Sequence, residues 1–383
     1  MTKKIVPLGV LASHSGPYAA LGKTALQGTM LALHALEQDP HSSIRFAVQW
    51  HDPQGNDELY YRYAESLLQS GVRHVVGCYT STSRKTILPL FEKHDGLLWF
   101  PAHYEGFESS ENVVYTGTAP NHHIYPMIEF MLNHAGNSAY CVGSDYIWAW
   151  ESNRVFKDEF SRLGGHILGE RYHPLGGLDL DAVIDEIFEL QPAFLLNTLV
   201  GHSSHYFFHH FRQRCQERGI NQRERYPIAS CNLSEADLNE IPAESRDGHF
   251  SSSVYFASVE SPENHRFVSA HRASFPDASL PPVETEAAYI AVHLLALALA
   301  SSDYDDVSAV MQAACQQRFL APQGIVSLDP LNHHCYLTPR IGMSRADGGF
   351  HIVAQAQAPV QPDPYLTAAP VVGMFADTLF GGS

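Results

Sequence analysis

Short, continuously apolar runs separated by helical stretches limit how this chain can fold more than any other feature. Residues 5–13 (IVPLGVLAS), 44–52 (IRFAVQWHD), 74–78 (HVVGC) and 96–101 (GLLWFP) are such runs, and 112–117 (NVVYTG), 139–144 (AYCVGS), 166–172 (HILGERY) and 193–201 (AFLLNTLVG) continue the series. They do not alternate in polarity, so both faces of each strand must be covered. Strands covered by intervening helices on both faces are parallel strands of an α/β sheet. The intervening stretches 18–38, 57–69, 84–94, 151–163, 178–190 and 204–218 read as those helices. Another helix carries Ile124, Met127, Ile128, Met131 and Leu132 at i, i+3, i+4 spacing and ends at Gly136.

The pattern then changes. Three consecutive helices are predicted near 262–273, 284–301 and 307–316, followed by GIVSL at 324–328 and a strand-rich tail at 333–355. Asp347-Gly348-Gly349 in that tail is a hairpin turn signal. A chain of 383 residues exceeds the usual size of one core. Two doubly wound lobes are therefore expected. One comprises residues 1–120 with about 251–327, the other 121–250 with about 328–383, and the first change of lobe falls near 118–121.

Composition narrows the partners. Forty-one acidic residues against 24 basic ones give a formal net charge of −17, which repels phosphate and argues against direct nucleic-acid binding. The longest apolar stretch, about 289–300, reads as too short to cross a bilayer roughly 30 Å thick, so no membrane insertion is expected. No apolar segment with a small-residue cleavage site follows MTKK. A cytoplasmic location is the expectation if Met1 is the native start, and a periplasmic one if a signal segment precedes it. The six cysteines show no CxxC pairing and read as buried, reduced thiols.

The segment 76–89, VGCYTSTSRKTILP, sets four consecutive hydroxyl side chains (80–83) and a tyrosine between an apolar run and a helix. Ser81, Thr82 or Ser83 would cap a helix starting near Arg84, which accounts for one of them. A helix start at the carboxyl end of a parallel strand also presents free N–H groups where open α/β sheets bind ligands. With Ser81 and the phenol of Tyr79, that turn suits a small uncharged solute. It lacks the glycines of a phosphate cradle. Gly201-His202-Ser203-Ser204-His205 lacks the last glycine of a nucleophile elbow, so no catalysis is expected. His205 and His209 share a helical face without a third ligand, and the pairs His122-His123 and His333-His334 read as surface histidines, so no metal or cofactor is implied. Tyr79, Trp99, Phe100, Tyr104, Phe107, Tyr146, Trp148 and Trp150 gather at predicted strand ends, where some would line a cleft and the rest would be core.

Residues 77–123 and 142–155, with YEGFE (104–108), APN (119–121) and GSDY (143–146) in that order, resemble the amide-binding regulators of aliphatic amidase operons. They also resemble the urea and short-chain-amide binding proteins of ABC transporters. ETEAAY (284–289), APQG (321–324), RADGGF (345–350) and PDPY (362–365) extend the resemblance over nearly the whole chain. It implies a type I periplasmic-binding-protein fold, two parallel-sheet lobes joined by three crossovers and closing on a ligand. It also implies that Tyr79, Ser81 and Tyr146 contact an amide or urea-like ligand. Phe100, Ala102, His103, Tyr104 and Trp148 occupy neighbouring positions of the same motifs. Phe100, Ala102, His103 and Trp148 depart from the family, with Phe100 and Ala102 lacking hydroxyls and His103 replacing a proline. Those departures point to a ligand other than acetamide. The resemblance further implies a cytoplasmic sensor that sequesters an RNA-binding antiterminator and releases it on binding, the alternative being the solute-binding component of an importer. A homo-oligomer is compatible with either.

Overall fold

A computed structural model describes residues 3–302, 306–368 and 372–375. The chain forms two compact units, Met1–Ala119 with Glu260–Leu337 and Pro120–Val259 with Thr338–Ser383. It passes between them three times.

The first unit opens with β1 (Lys4–Leu11), α1 (Ala19–Gln38), β2 (Ile44–His51), α2 (Asp57–Gln69), β3 (His74–Gly77), α3 (Ser81–His94), β4 (Leu97–Phe100) and β5 (Val113–Tyr115). These strands make one parallel sheet in the order β2-β1-β3-β4-β5. The winding reverses between β1 and β3, which is where sheets of this class take their ligands, beyond the carboxyl ends of the strands. Gly77 closes β3 level with Leu11 of β1. Its φ is +131°, and a Cβ there would stand 2.1 Å from the Leu11 carbonyl oxygen. Only glycine allows β3 to turn out at that point.

The second unit continues with α4 (Pro120–His134), β6 (Ser138–Ser144), α5 (Ile147–Arg162), β7 (His166–His173), α6 (Asp181–Leu190), β8 (Phe194–Thr198), α7 (His202–Glu217), α8 (Gln222–Arg225), β9 (Ile228–Ser230), α9 (Glu235–Glu240) and β10 (Phe250–Ser253). The chain then returns to the first unit for α10 (Pro262–Ser274), α11 (Val283–Ser301), α12 (Val307–Cys315) and the strands β11 (Arg318–Ala321), β12 (Gly324–Leu328) and β13 (Cys335–Tyr336). A final crossing supplies β14 (Arg340–Ser344) and β15 (Phe350–Gln355), joined through a turn in which Arg345 N–H donates to the Gly349 carbonyl.

Several expectations change here. The later crossings fall at 259/260 and 337/338, not near 250 and 327. β10 pairs with β9 and β14 and so belongs to the second sheet, while β13 pairs with β12 in a small three-stranded sheet of the first unit. The second sheet, ordered β15-β14-β10-β9-β8-β6-β7, is not wholly parallel, because β14 and β15 run antiparallel at one edge. α11 has 19 residues, longer than the apolar stretch within it, and is apolar enough by length and composition to cross a membrane. Thirteen of those residues are buried, however, and the helix packs on α1, where Thr285 Oγ1 donates to the Thr24 carbonyl at 3.0 Å. The end of the second lobe at 376–383 lies outside the described residues.

The histidine pairs are not at the surface. His122, His123, His333 and His334 are buried, and burial pushes the His122 imidazole down to about 4. His205 bonds Asp237 at 2.9 Å while His209 bonds Ser245 at 2.9 Å, so the i, i+4 pair serves two separate partners. Among the described residues no three His, Cys, Asp or Glu side chains gather as metal ligands. All six cysteines are free thiols, five of them buried.

Candidate functional site

The hydroxyl-rich turn between β3 and α3 divides its labour. Thr80, with extended backbone (φ −89°, ψ 152°), is the N-cap, its Oγ1 accepting from the Ser83 N–H at 3.2 Å. The helix therefore begins at Ser81 and not near Arg84. Thr80 Oγ1 also donates to Ser83 Oγ at 2.7 Å, and Ser83 Oγ donates to the Thr80 carbonyl at 2.8 Å. Two of the four hydroxyls thus close the helix end.

Ser81 does something else. Its hydroxyl donates to Glu105 Oε2 at 2.5 Å. Glu105 and Glu108, from the YEGFE segment after β4, clamp Arg84 at 2.9 Å and 2.7 Å. The Arg84 side chain is fully buried, its guanidinium 4.9 Å from the centre of the Phe100 ring and 4.7 Å from that of Tyr104. Lys85 lies 3.4 Å from Glu105 and 3.3 Å from Glu108, and the Tyr115 hydroxyl donates to Glu108 at 2.9 Å. Burial alone would raise both carboxyls, but the Arg84 charge, with hydrogen bonds from Ser81 to Glu105 and from Arg84 and Tyr115 to Glu108, holds both below the ordinary glutamate range. The same carboxylates outweigh burial at Arg84 and raise its guanidinium.

Arg84, Glu105 and Glu108 were not singled out from the sequence, although a signal exists. Arg84 and Lys85 stand near the start of α3, where the helix dipole is positive and disfavours cations. Two basic residues there require nearby carboxylates, and YEGFE supplies them three residues apart.

The predicted site residues separate by unit. Tyr79, Ser81, Phe100, Ala102, His103 and Tyr104 gather at the carboxyl ends of β3 and β4 in the first unit. Phe100, Ala102 and Tyr104 pack into its core. Phe100 meets Tyr104 and Tyr115 edge-on, and the Tyr104 hydroxyl bonds the Glu108 carbonyl at 2.9 Å and His334 Nε2 at 2.5 Å. These three side chains shape the site from behind. Tyr79 and His103 are only partly buried, and their rings stand edge to face at 6.5 Å. The Tyr79 hydroxyl donates to Glu284 Oε1 at 3.2 Å, and His103 Nδ1 lies 3.7 Å from the same oxygen. Glu284, in the first turn of α11, was read only as part of ETEAAY, and nothing local marks its role. Tyr146 and Trp148 belong to the second unit. Tyr146 is the extended residue before α5, and Trp148, in its first turn, is buried in that unit's core. Of the other aromatics, Trp99 is buried, whereas Phe107 and Trp150 are exposed.

Residues 6–370 match the family model of the periplasmic binding protein domain. The Leu/Ile/Val-binding protein homolog 6 of Brucella suis biovar 1 (strain 1330) is 24% identical over 382 residues, covering 95% of this chain and 94% of its own. An ABC transporter substrate-binding protein from Sphaerobacter thermophilus superposes with a TM-score of 0.83 at 18% identity, covering 94% of this chain and 100% of that one. The branched-chain amino acid transporter substrate-binding protein of Streptococcus pneumoniae, in complex with isoleucine, gives 0.78 at 18% identity over 92% and 99% of the two chains. A solute-binding protein from R. palustris, in complex with 4-hydroxybenzoate, gives 0.80 at 19% over 93% and 98%. The fold is the type I periplasmic-binding-protein fold, and the chain belongs to the periplasmic-binding-protein family.

Proposed function

We propose that this chain is a non-catalytic receptor for a small amide or urea-like solute and serves as the solute-binding component of an ABC-type importer. The observation that carries the reading is the β3–α3 turn. Tyr79 and Ser81 stand at the carboxyl end of a parallel strand, beside the point where the winding of the sheet reverses. The first N–H groups of α3 suit a carbonyl oxygen, and the Ser81 and Tyr79 hydroxyls, whose protons go to Glu105 and Glu284, keep lone pairs to accept an N–H; neither contact needs a charged ligand. Tyr79, Ser81 and His103 are the residues of the first unit assigned to the ligand, and Phe100, Ala102 and Tyr104 support them. The transporter reading is supported by the solved neighbours, whose names are those of transporter substrate-binding and solute-binding proteins.

A melting-temperature panel tests the reading, with acetamide, propionamide, urea, isoleucine and 4-hydroxybenzoate. A true ligand at 100 times its dissociation constant adds about 2.7 kcal/mol to native stability. The amide reading expects a shift with the amides or urea, abolished by Ser81→Ala. A shift with isoleucine or 4-hydroxybenzoate alone refutes the amide assignment, and no shift with any small solute refutes the receptor.

The resemblance of 77–123 and 142–155 to amidase-operon regulators supports a second reading, a cytoplasmic sensor that holds an RNA-binding antiterminator. Fractionation of the native host separates the two. Periplasmic protein supports the importer. Cytoplasmic protein that co-purifies with an RNA-binding partner, and loses it when amide is added, supports the sensor.

A further inference from the structure

We propose that Glu284 is a ligand-binding residue whose free carboxylate oxygen accepts an N–H from the solute, so that the receptor selects nitrogen donors over their oxygen isosteres. The proposal rests on the receptor reading above and specifies one end of its ligand.

Two glutamates occupy the first turn of α11, and the structure treats them differently. Glu286 is fully buried, with one oxygen accepting the Gln323 backbone N–H at 3.1 Å and the other the Gln323 side-chain amide at 2.8 Å. Glu284 is 3% exposed. Its Oε1 accepts from Tyr79 and faces His103, but Oε2 is buried without a hydrogen-bond partner among the described residues. A buried carboxylate oxygen left unpaired costs more than almost any other polar defect, so such atoms are nearly always satisfied. The side chains that meet Oε1, Tyr79 and His103, are the two outward residues of the site. Tyr79 leads directly into the first turn of α3. The missing donor is therefore expected beside the position assigned to the solute.

The chemistry of that donor follows from what Glu284 offers. A carboxylate accepts hydrogen bonds and repels anions. An amide or urea –NH₂ fits as a neutral donor, and an amidinium fits as a charged one. A carboxylate of the same shape meets like charge with no hydrogen to give. Sites built to hydrogen-bond an N–H reject an analogue lacking it strongly, because the buried partner is then left unpaired.

Acetamide, acetamidinium and acetate are close isosteres, and titration calorimetry with each tests the assignment. The wild-type protein is expected to bind acetamide or acetamidinium at least about 100-fold more tightly than acetate. In Glu284→Gln, weakening of the nitrogen ligands by about 10- to 100-fold is expected, with acetate gaining, since the side chain now offers a donor at the free position. Unliganded Glu284→Gln should melt no lower than wild type, which separates ligand binding from a structural role. Wild-type preference for acetate, or Glu284→Gln affinities within twofold of wild type, overturns the proposal and leaves the receptor standing. A wild-type protein that binds no small solute in this series or the melting panel overturns both. The ratio of acetamidinium to acetamide affinity distinguishes a charged donor from a neutral one.

Discussion

Replacing Arg84 by methionine tests whether the YEGFE segment is held by charge. The substitution keeps an unbranched side chain between Phe100 and Tyr104 but leaves Glu105 and Glu108 buried without their main counter-charge. Removing one partner of a buried ion pair costs about 3–5 kcal/mol, chiefly through the charge left behind. Lys85, half-exposed and 3.3–3.4 Å from both carboxylates, offsets part of that. The expected loss is about 3 kcal/mol. Adding Glu105→Gln and Glu108→Gln to Arg84→Met removes the stranded charges, and most of the loss should return. The side-chain amide that Glu105→Gln introduces keeps a carbonyl acceptor for the Ser81 hydroxyl, so that hydrogen bond survives.

Urea unfolding supplies the energies, with hydrogen exchange at the α3 amides to localise them, because a chain of two units need not unfold in one step. The pH dependence adds an independent check. Both glutamates are held below their ordinary range by Arg84, so the unfolded chain binds more protons than the folded one as acid is added. Their contribution is full above about pH 4.5 and is lost as pH falls through the folded-state values. In Arg84→Met burial raises both carboxyls above their ordinary value, so the gap between wild type and variant should be widest near pH 8 and already narrow before pH 5 is reached, continuing to narrow below it. A loss under about 1 kcal/mol, or strict additivity of the three substitutions, refutes the account of the cluster.

Thr80→Ala removes the α3 cap and should cost about 1 kcal/mol by urea unfolding, while Thr82→Ala, on the exposed side of the turn, should cost a few tenths. Gly28→Ala places a Cβ 1.9 Å from the Thr285 carbonyl oxygen, so α1 and α11 must separate, and a drop of several degrees in melting temperature is expected. Burial of His122 and partial burial of His293 push both imidazoles down to about 4, and burial pushes His249 to about 3. Their folded values lie below the unfolded 6.5, so stability is complete above that pH and falls as acid is added toward 4, by on the order of 3 kcal/mol for each of His122 and His293 at the limit. A urea midpoint unchanged between pH 7.5 and 5 refutes that reading.

What was legible in the sequence is what local pattern encodes. Continuous apolar runs identify the parallel strands because burial on both faces leaves no room for alternation. Asp347-Gly348-Gly349 identifies the β14–β15 turn because that geometry calls for a left-handed residue, supplied by Gly348 at φ +85°. What was not legible depends on pairing over long separations. SSSVYF could belong to either sheet until β10 is seen between β9 and β14. Tyr104 reads as a cleft aromatic until His334, 230 residues later, stacks on it and bonds its hydroxyl. Glu284 lies 205 residues from Tyr79, and no spacing rule connects them.

The departures from the resembling family gain a physical sense from these two carboxylate systems. Phe100 stands against the Arg84 guanidinium with no exposure, where a phenol would need a buried partner of its own. His103, in place of a proline, brings an imidazole within 3.7 Å of Glu284. Around α3 the charges balance, with Arg84 and Lys85 answered by Glu105 and Glu108. Among the described residues Glu284 is answered only by a phenol, a neighbouring imidazole and the positive end of the α11 dipole, each weaker than a paired guanidinium. Selectivity then follows from that remainder more than from the hydroxyls of the turn, two of which are spent on capping. Removing the Ser81 hydroxyl should weaken every ligand of the site together, whereas altering Glu284 should change which ligand wins.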